Sequence, residues 1–336
     1  MEKLNKITEA EWMLCNEFNR KLRDEFIENS TDLSPKSRTA YSSNLAIWFN
    51  YVRQYCDNKK QIDLKPLDLK KFQNYLLNRG HSSSDINNKR SAISSLNNYL
   101  LVYYGEEYPI FKNFVNKGVK KPEKSMVYDK EPPTKVEMDI LISELEKRNE
   151  WQYIAYLKFT FATGCRRAES RQLRKDFINS ELITKNIKVR NENGVEEDQE
   201  SKYYLTHKIR CKGAGTTGKI RQFKVSLEAM DALKKWIEVR SEDDCPYMFV
   251  TKYKGKINQV SENTFNQWAS RIFTPILGRR FHPHAIRSAK ATIEVVEEGK
   301  SIESLQKLLG HNSSDTTRIY VINNSEDDES DELFIT

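Results

Sequence analysis

Through the first ~120 residues, apolar positions recur at helical spacing, with almost no strand-like alternation. Trp12, Phe18, Leu22 and Phe26 predict a helix over Glu9–Glu28. Ser34 followed by Pro35, a proline suited to a first helical turn, opens a second that carries Tyr41, Leu45, Trp48 and Tyr51. A third runs through Pro66–Asn78 towards Gly80, since glycine often follows a helix C-terminus. The capping run Ser82-Ser83-Ser84-Asp85 starts a fourth, with Ile86, Ile93, Leu96, Tyr99 and Leu100 on one face. Short amphipathic helices of this kind predict a compact bundle over residues 1–111.

The pattern then changes twice. Between Lys112 and Thr134 periodicity fades, while Lys120, Lys121, Lys124 and Pro122, Pro132 and Pro133 accumulate; this is linker composition with a basic bias. From Lys135 helices return at Lys135–Lys147 and Trp151–Ala162. Strand-like pieces follow at Leu182–Arg190, Tyr203–Cys211 and Ile220–Val225, the last two joined by a Gly/Thr turn over 213–218. Further helices are expected at Leu227–Val239, Ser261–Phe273, Pro283–Glu298 and Ile302–Leu309. The reading is a mainly α chain with one small β-sheet, an α+β class. It comprises a helical domain over 1–111, a basic linker over 112–134, a second domain over 135–322 and an acidic tail over 323–336.

Composition narrows the partners. The 336 residues hold 55 Lys plus Arg against 48 Asp plus Glu, a formal charge of +7. Six of those acids crowd the tail from Ser325 to Thr336, so the rest of the chain sets 55 bases against 42 acids, or +13. Such an excess points to a polyanion, nucleic acid or acidic lipid. No long apolar run or signal-peptide core is visible, so no membrane partner and a cytoplasmic location are expected. Five widely spaced cysteines without a CxxC favour reduced thiols over disulfides or zinc. No GxxxxGK[ST], GxGxxG or HExxH occurs; no metal site and no cofactor are expected.

Three segments concentrate chemistry-bearing side chains. In Phe161-Ala162-Thr163-Gly164-Cys165-Arg166-Arg167-Ala168-Glu169 one helix ends at Gly164 and another starts near Arg166, a place where backbone N–H groups and an arginine together bind phosphate. Taken alone, Arg166 and Glu169 read as a surface i,i+3 pair. In Phe281-His282-Pro283-His284-Ala285-Ile286-Arg287, His284 and Arg287 share a face beside a buried stripe; alone they read as a solvated pair. Leu308-Leu309-Gly310-His311 ends a helix and is followed nine residues later by Tyr320, a residue type that more often packs than reacts.

In register, these segments resemble the tyrosine recombinase (phage integrase) family, whose pattern is TGxRxxE, a hairpin lysine, HxxR, LGH and a nucleophilic tyrosine. The resemblance covers Lys135–Val321, and more weakly the N-terminal bundle, which is similar to the family's SAM-like core-binding domain. It implies that Arg166 and Arg287 hold the scissile phosphate, that His284 hydrogen-bonds the same phosphate or assists proton transfer, that His311 completes the donor shell, and that Tyr320 attacks phosphorus. Lys212, at the end of a strand, is the implied general acid; the long turn to Arg221 keeps Lys219 as a competitor. Glu169 is implied to orient Arg166. Ser288 stands where the family often has His, and Arg167-Ala168 replace the more usual small apolar and Ser residues.

The same resemblance implies a double-stranded DNA target gripped by both domains, a tetrameric synapse, a Holliday junction and an accessory directionality factor. Lys36, Arg38, Lys89 and Arg90, with Lys120, Lys121 and Lys124 in the linker, are the implied DNA contacts. The helix near Ser84–Tyr99 is the groove-entering candidate. The resemblance implies the two-domain layout of chromosome-dimer resolvases and mobile-element integrases, with no further N-terminal module expected. A type IB topoisomerase-like enzyme, a hairpin telomere resolvase and a non-catalytic DNA-binding protein are the alternatives.

Overall fold

The computed structural model describes residues 7–115, 119–123, 131–190, 196–213, 218–240, 242–297, 299 and 301–309. His311, Tyr320, Lys124, the turn over 214–217 and the acidic tail lie outside the described residues. The chain forms two compact units, with the boundary between Val127 and Tyr128.

The first unit is helical: α1 Glu9–Met13, α2 Glu17–Asn29, α3 Pro35–Tyr55, α4 Pro66–Asn78 and α5 Ser83–Tyr103. The single helix expected over Glu9–Glu28 is broken at Asn16. That side chain caps α2 and also donates to the Asn58 carbonyl at 2.9 Å, while its own N–H bonds Asn58 Oδ1 at 2.8 Å. A distant asparagine therefore sets the break. Trp48, Phe49, Leu69, Phe72, Ile93 and Leu96 form the core. Inside it, Trp48 Nε1 donates to Gln61 Oε1 at 2.8 Å and Gln61 Nε2 donates to Asn97 Oδ1 at 2.7 Å, which satisfies polar groups that burial would otherwise penalise.

The core also takes in Phe114, Val115 and Val119, from the start of the stretch read as a linker. Arg90 is the reason. Its guanidinium donates to Gln73 Oε1 at 2.8 Å and to the carbonyls of Val115 at 3.0 Å and Val119 at 2.7 Å. Arg90 is thus a buried tie between α5 and the following chain, not a solvent-facing contact. Lys89 is buried too, its Nζ 2.7 Å from Asp85 Oδ1, and Asp85 also holds His81 Nδ1 at 2.7 Å. Both residues correct the expectation drawn from sequence. Helical geometry turns them inward and turns Ser84, Asn88, Ser91 and Asn98 outward. Lys36, Lys120 and Lys121 are exposed, and Arg38 is half-buried.

In the second unit α6 Lys135–Lys147 and α7 Trp151–Thr163 precede a single turn, α8 Arg167–Ser170. Among the described residues three small sheets follow, where the sequence suggests one. β1 Ile183–Arg190 pairs antiparallel with β2 Glu196–Leu205, which pairs with the short strand at Lys224–Val225. β3 Ile209–Cys211 pairs with β4 Lys219–Arg221, and Lys224–Val225 is β5. The expected strand Tyr203–Cys211 is interrupted at Thr206, whose buried hydroxyl accepts from the Phe223 N–H at 2.9 Å and donates to the His207 carbonyl at 2.9 Å. The Thr206 N–H still donates to the Phe223 carbonyl at 3.0 Å, but the return bond goes to the hydroxyl, and there the chain passes from one sheet to the next.

α9 Leu227–Val239 leads to a hairpin the periodicity did not reveal, β6 Val250–Tyr253 and β7 Lys256–Gln259. Lys254 and Gly255 turn it with φ of 49° and 77°, the two positive angles of a tight hairpin turn. α10 Glu262–Trp268 continues through a π-helical turn, Ala269–Phe273, into α11 Thr274–Leu277. α12 Pro283–Thr292 likewise runs into a π-helical turn, Ile293–Glu297, before α13 Ile302–Leu309. Tyr156, Phe159, Phe249, Phe265 and Ile286 belong to the main core; Ala291, Leu305 and Leu309 form a small separate one.

Candidate active site

Gly164 ends α7 in the left-handed region, at φ +59°. A Cβ built there would lie 2.5 Å from Leu309 Cδ2, so the position requires glycine for both angle and space. Two residues on, Arg166 caps α8 from extended backbone. Glu169 reaches back to it. One carboxylate oxygen accepts from the Arg166 backbone N–H at 2.7 Å and the other from Nη1 at 3.2 Å. The glutamate side chain is 1% exposed and the arginine side chain 28%. A buried carboxylate therefore fixes a guanidinium that still meets solvent.

Arg287 comes to the same place from α12. It is 1% exposed; Nη1 donates to the Gly164 carbonyl and Nη2 to the Leu309 carbonyl at 2.7 Å. One guanidinium thus joins the C-terminal ends of α7 and α13 and satisfies carbonyls that helix ends leave over. His284, one turn earlier, is exposed by surface area. Its pKa is pushed down to about 4 by partial desolvation and then by the positive charges of Arg287, His282, Arg166 and Arg167. For so open a side chain the arginine charges are the sturdier cause. The imidazole is neutral at pH 7.

The hairpin that carries Lys212 is pinned to the Arg166 helix. Gln172 grips the Arg210 backbone from both sides, with Nε2 donating to its carbonyl at 2.9 Å and Oε1 accepting from its N–H at 3.1 Å. The next residue, Cys211, is buried, and its thiol is pushed up to about 12 by that burial and then by the Glu169 carboxylate. Lys212 follows immediately and is exposed. Lys219 opens β4 opposite Cys211, half-buried, with its stem laid over Gly213.

The fold therefore brings Arg166, Glu169, His284, Arg287 and the Lys212 strand together. His311 and Tyr320 lie outside the described residues; α13 is described as far as Leu309, the residue before Gly310-His311. Arg167 is directed elsewhere, donating to Asn266 Oδ1 at 2.7 Å. One residue was not singled out from sequence. Arg221 donates to the Leu309 carbonyl at 3.0 Å, the Leu308 carbonyl at 2.8 Å and the Lys307 carbonyl at 3.2 Å. A lone arginine in a three-residue strand gives no periodic signal of that role. Cationic donors around one buried carboxylate suit an anionic, tetrahedral or trigonal-bipyramidal group. Among the described residues no cluster of His, Cys, Asp and Glu has the makings of a metal site, and no helix is long and apolar enough to cross a membrane.

Residues 134–327 match the phage integrase family. The chain is 31% identical over 320 residues to the SPbeta prophage-derived recombinase-like protein YomM of Bacillus subtilis (strain 168), covering 94% of this chain and 90% of that one. It is also 30% identical over 126 residues to the tyrosine recombinase XerC of Shewanella sp. (strain ANA-3), covering 37% of this chain and 40% of that protein. In fold it resembles the Tn1549 transposon integrase solved with circular intermediate DNA, at a TM-score of 0.66 and 15% identity over 93% of this chain and 98% of that one. The chain belongs to the phage integrase family, mainly α with small sheets, and its class is that of a tyrosine-type site-specific recombinase.

Proposed function

We propose that this recombinase cuts and rejoins double-stranded DNA through a covalent 3′-phosphotyrosyl intermediate, with strand exchange passing through a Holliday junction in a tetrameric synapse. The observation that carries the reading is the convergence of Arg166, Arg287 and neutral His284 beside the Lys212 strand. Arg166 binds the non-bridging oxygens of the scissile phosphate through the exposed side of its guanidinium, and Arg287 adds the second charge from within the fold. His284 and His311 add hydrogen bonds to the phosphate as negative charge builds on it. The Tyr320 oxygen forms a bond to phosphorus while the bond to the 5′-oxygen breaks, and the phenolic proton passes to solvent water. A free phenol has a pKa of about 10, so the cationic surroundings supply much of its activation.

Lys212 gives its proton to the departing 5′-oxygen. Its exposure one residue beyond the buried Cys211 supports it over Lys219, which is half-buried against the hairpin. The phosphoester is conserved in the tyrosyl link, so rejoining reverses cleavage and needs neither ATP nor a metal. Duplex DNA as partner is supported by the fold neighbour solved with DNA. α5 is the groove candidate, its outward Ser84, Asn88, Ser91 and Asn98 suited to base edges, with Lys36, Arg38, Lys120, Lys121 and Lys124 on phosphates. An accessory factor setting direction belongs to the same proposal.

The test is a suicide duplex nicked beside the cleavage position, taken from DNA flanking the gene. Wild type is expected to form a denaturant-resistant adduct in EDTA, and Tyr320→Phe none. An adduct that survives Tyr320→Phe would show that another residue is the nucleophile.

A further inference from the structure

We propose that Arg221 is a positioning residue for the recombination chemistry: it fixes the C-terminal end of α13, and through it the chain that begins at Gly310-His311. The inference rests on the phosphotyrosyl reading above and deepens it.

The last carbonyls of a helix have no partner within the helix, so its end is free to fray unless something else accepts the task. Leu305 and Leu309 of α13 pack with Ala291 in a small cluster apart from the main core. Apolar packing alone therefore does not tie the end of α13 to the hairpin that carries Lys212. Arg221 makes that tie. It lies opposite Ile209, which is fully buried in the main core, and its guanidinium spans the carbonyls of Lys307, Leu308 and Leu309. Arg287 meets the same Leu309 carbonyl from α12. Two guanidiniums thus hold one helix end, and His311 follows Leu309 by two residues. A planar fork spans three carbonyls as a lysine ammonium, a single point of donors, does not.

The experiment separates placing α13 from placing Lys212. A suicide duplex is made with sulfur in place of the bridging 5′-oxygen; a thiolate leaves without a proton, so the general acid is bypassed. Wild type, Lys212→Ala, Arg221→Gln and Arg221→Lys are compared on the oxygen and sulfur duplexes, alongside DNA affinity and melting temperature. Both Arg221 variants are expected to form adduct about 10- to 100-fold more slowly on the oxygen duplex, the scale of an ångström-level misplacement. Their DNA affinity should stay within about twofold of wild type. Sulfur should restore Lys212→Ala and leave both Arg221 variants slow. Restoration of the Arg221 variants by sulfur would assign the residue to the Lys212 hairpin and overturn the proposal. So would an unchanged rate, or loss of the folded state in both variants. If wild type forms adduct on neither duplex, the phosphotyrosyl reading fails, and that result is distinct from any of the Arg221 outcomes.

Discussion

His284 shows how neighbours set the chemistry of a single side chain. Partial desolvation and the charges of Arg287, His282, Arg166 and Arg167 hold its pKa near 4, against an ordinary 6.5. As pH falls, the unfolded chain takes up this proton first. The contribution of the neutral imidazole to stability is therefore complete above pH 6.5 and lost progressively towards pH 4. In an NMR titration of the free protein, His284 is expected to show a midpoint well below 6.5 that rises once a phosphodiester sits beside it; a midpoint at or above 6.5 would contradict the geometry. The TGxR and HxxR motifs were legible in the sequence because each keeps residue types at fixed spacing in or beside a helix; that they meet is a matter of the fold. Arg221 was invisible in the same sequence, since its partners are backbone carbonyls of any residue type.

At the scale of elements, α5 was expected from its apolar face, and it is present over Ser83–Tyr103. Its two basic residues, Lys89 and Arg90, lie otherwise than the sequence suggests. Lys89 and Arg90 are charged, and charge on a basic helix suggests DNA; yet both are buried, Arg90 holding the chain at Val115 and Val119. Removing that guanidinium strands Gln73 Oε1 and two carbonyls. Arg90→Met is expected to lower stability in urea by about 3 kcal/mol or more, since each buried polar group left without a partner costs roughly 1–3 kcal/mol. A loss under about 0.5 kcal/mol, the scale of an unremarkable surface change, would show that the tie is idle. The breaks at Asn16 and Thr206 have the same origin: each is set by a side chain or backbone group far along the sequence.

For the whole molecule, the formal charge of +7, despite an acidic tail, makes salt the informative variable. Each phosphate contact contributes about 0.9 to the slope of log affinity against log salt. Lys36→Ala and Arg38→Ala are each expected to flatten the slope by about that amount in an anisotropy titration. Arg90→Met, measured on folded protein, should leave it unchanged. Slopes identical to wild type for Lys36→Ala and Arg38→Ala would remove both from the interface. A flattened slope for Arg90→Met would show instead that its charge is felt by the DNA.

Most helices were legible in the sequence, because apolar periodicity and capping residues act within a few turns of chain, and so was the family, because its motifs keep their residue types and order; the break at Asn16 was not. Tertiary structure alone decided which charges face solvent, where strands end and what holds α13. Burial of Arg90, the switch at Thr206 and the grip of Arg221 on Leu309 each join positions that local pattern does not relate. Those outcomes depend on which donors and acceptors a closed core leaves without water. That demand exists only once the chain has packed.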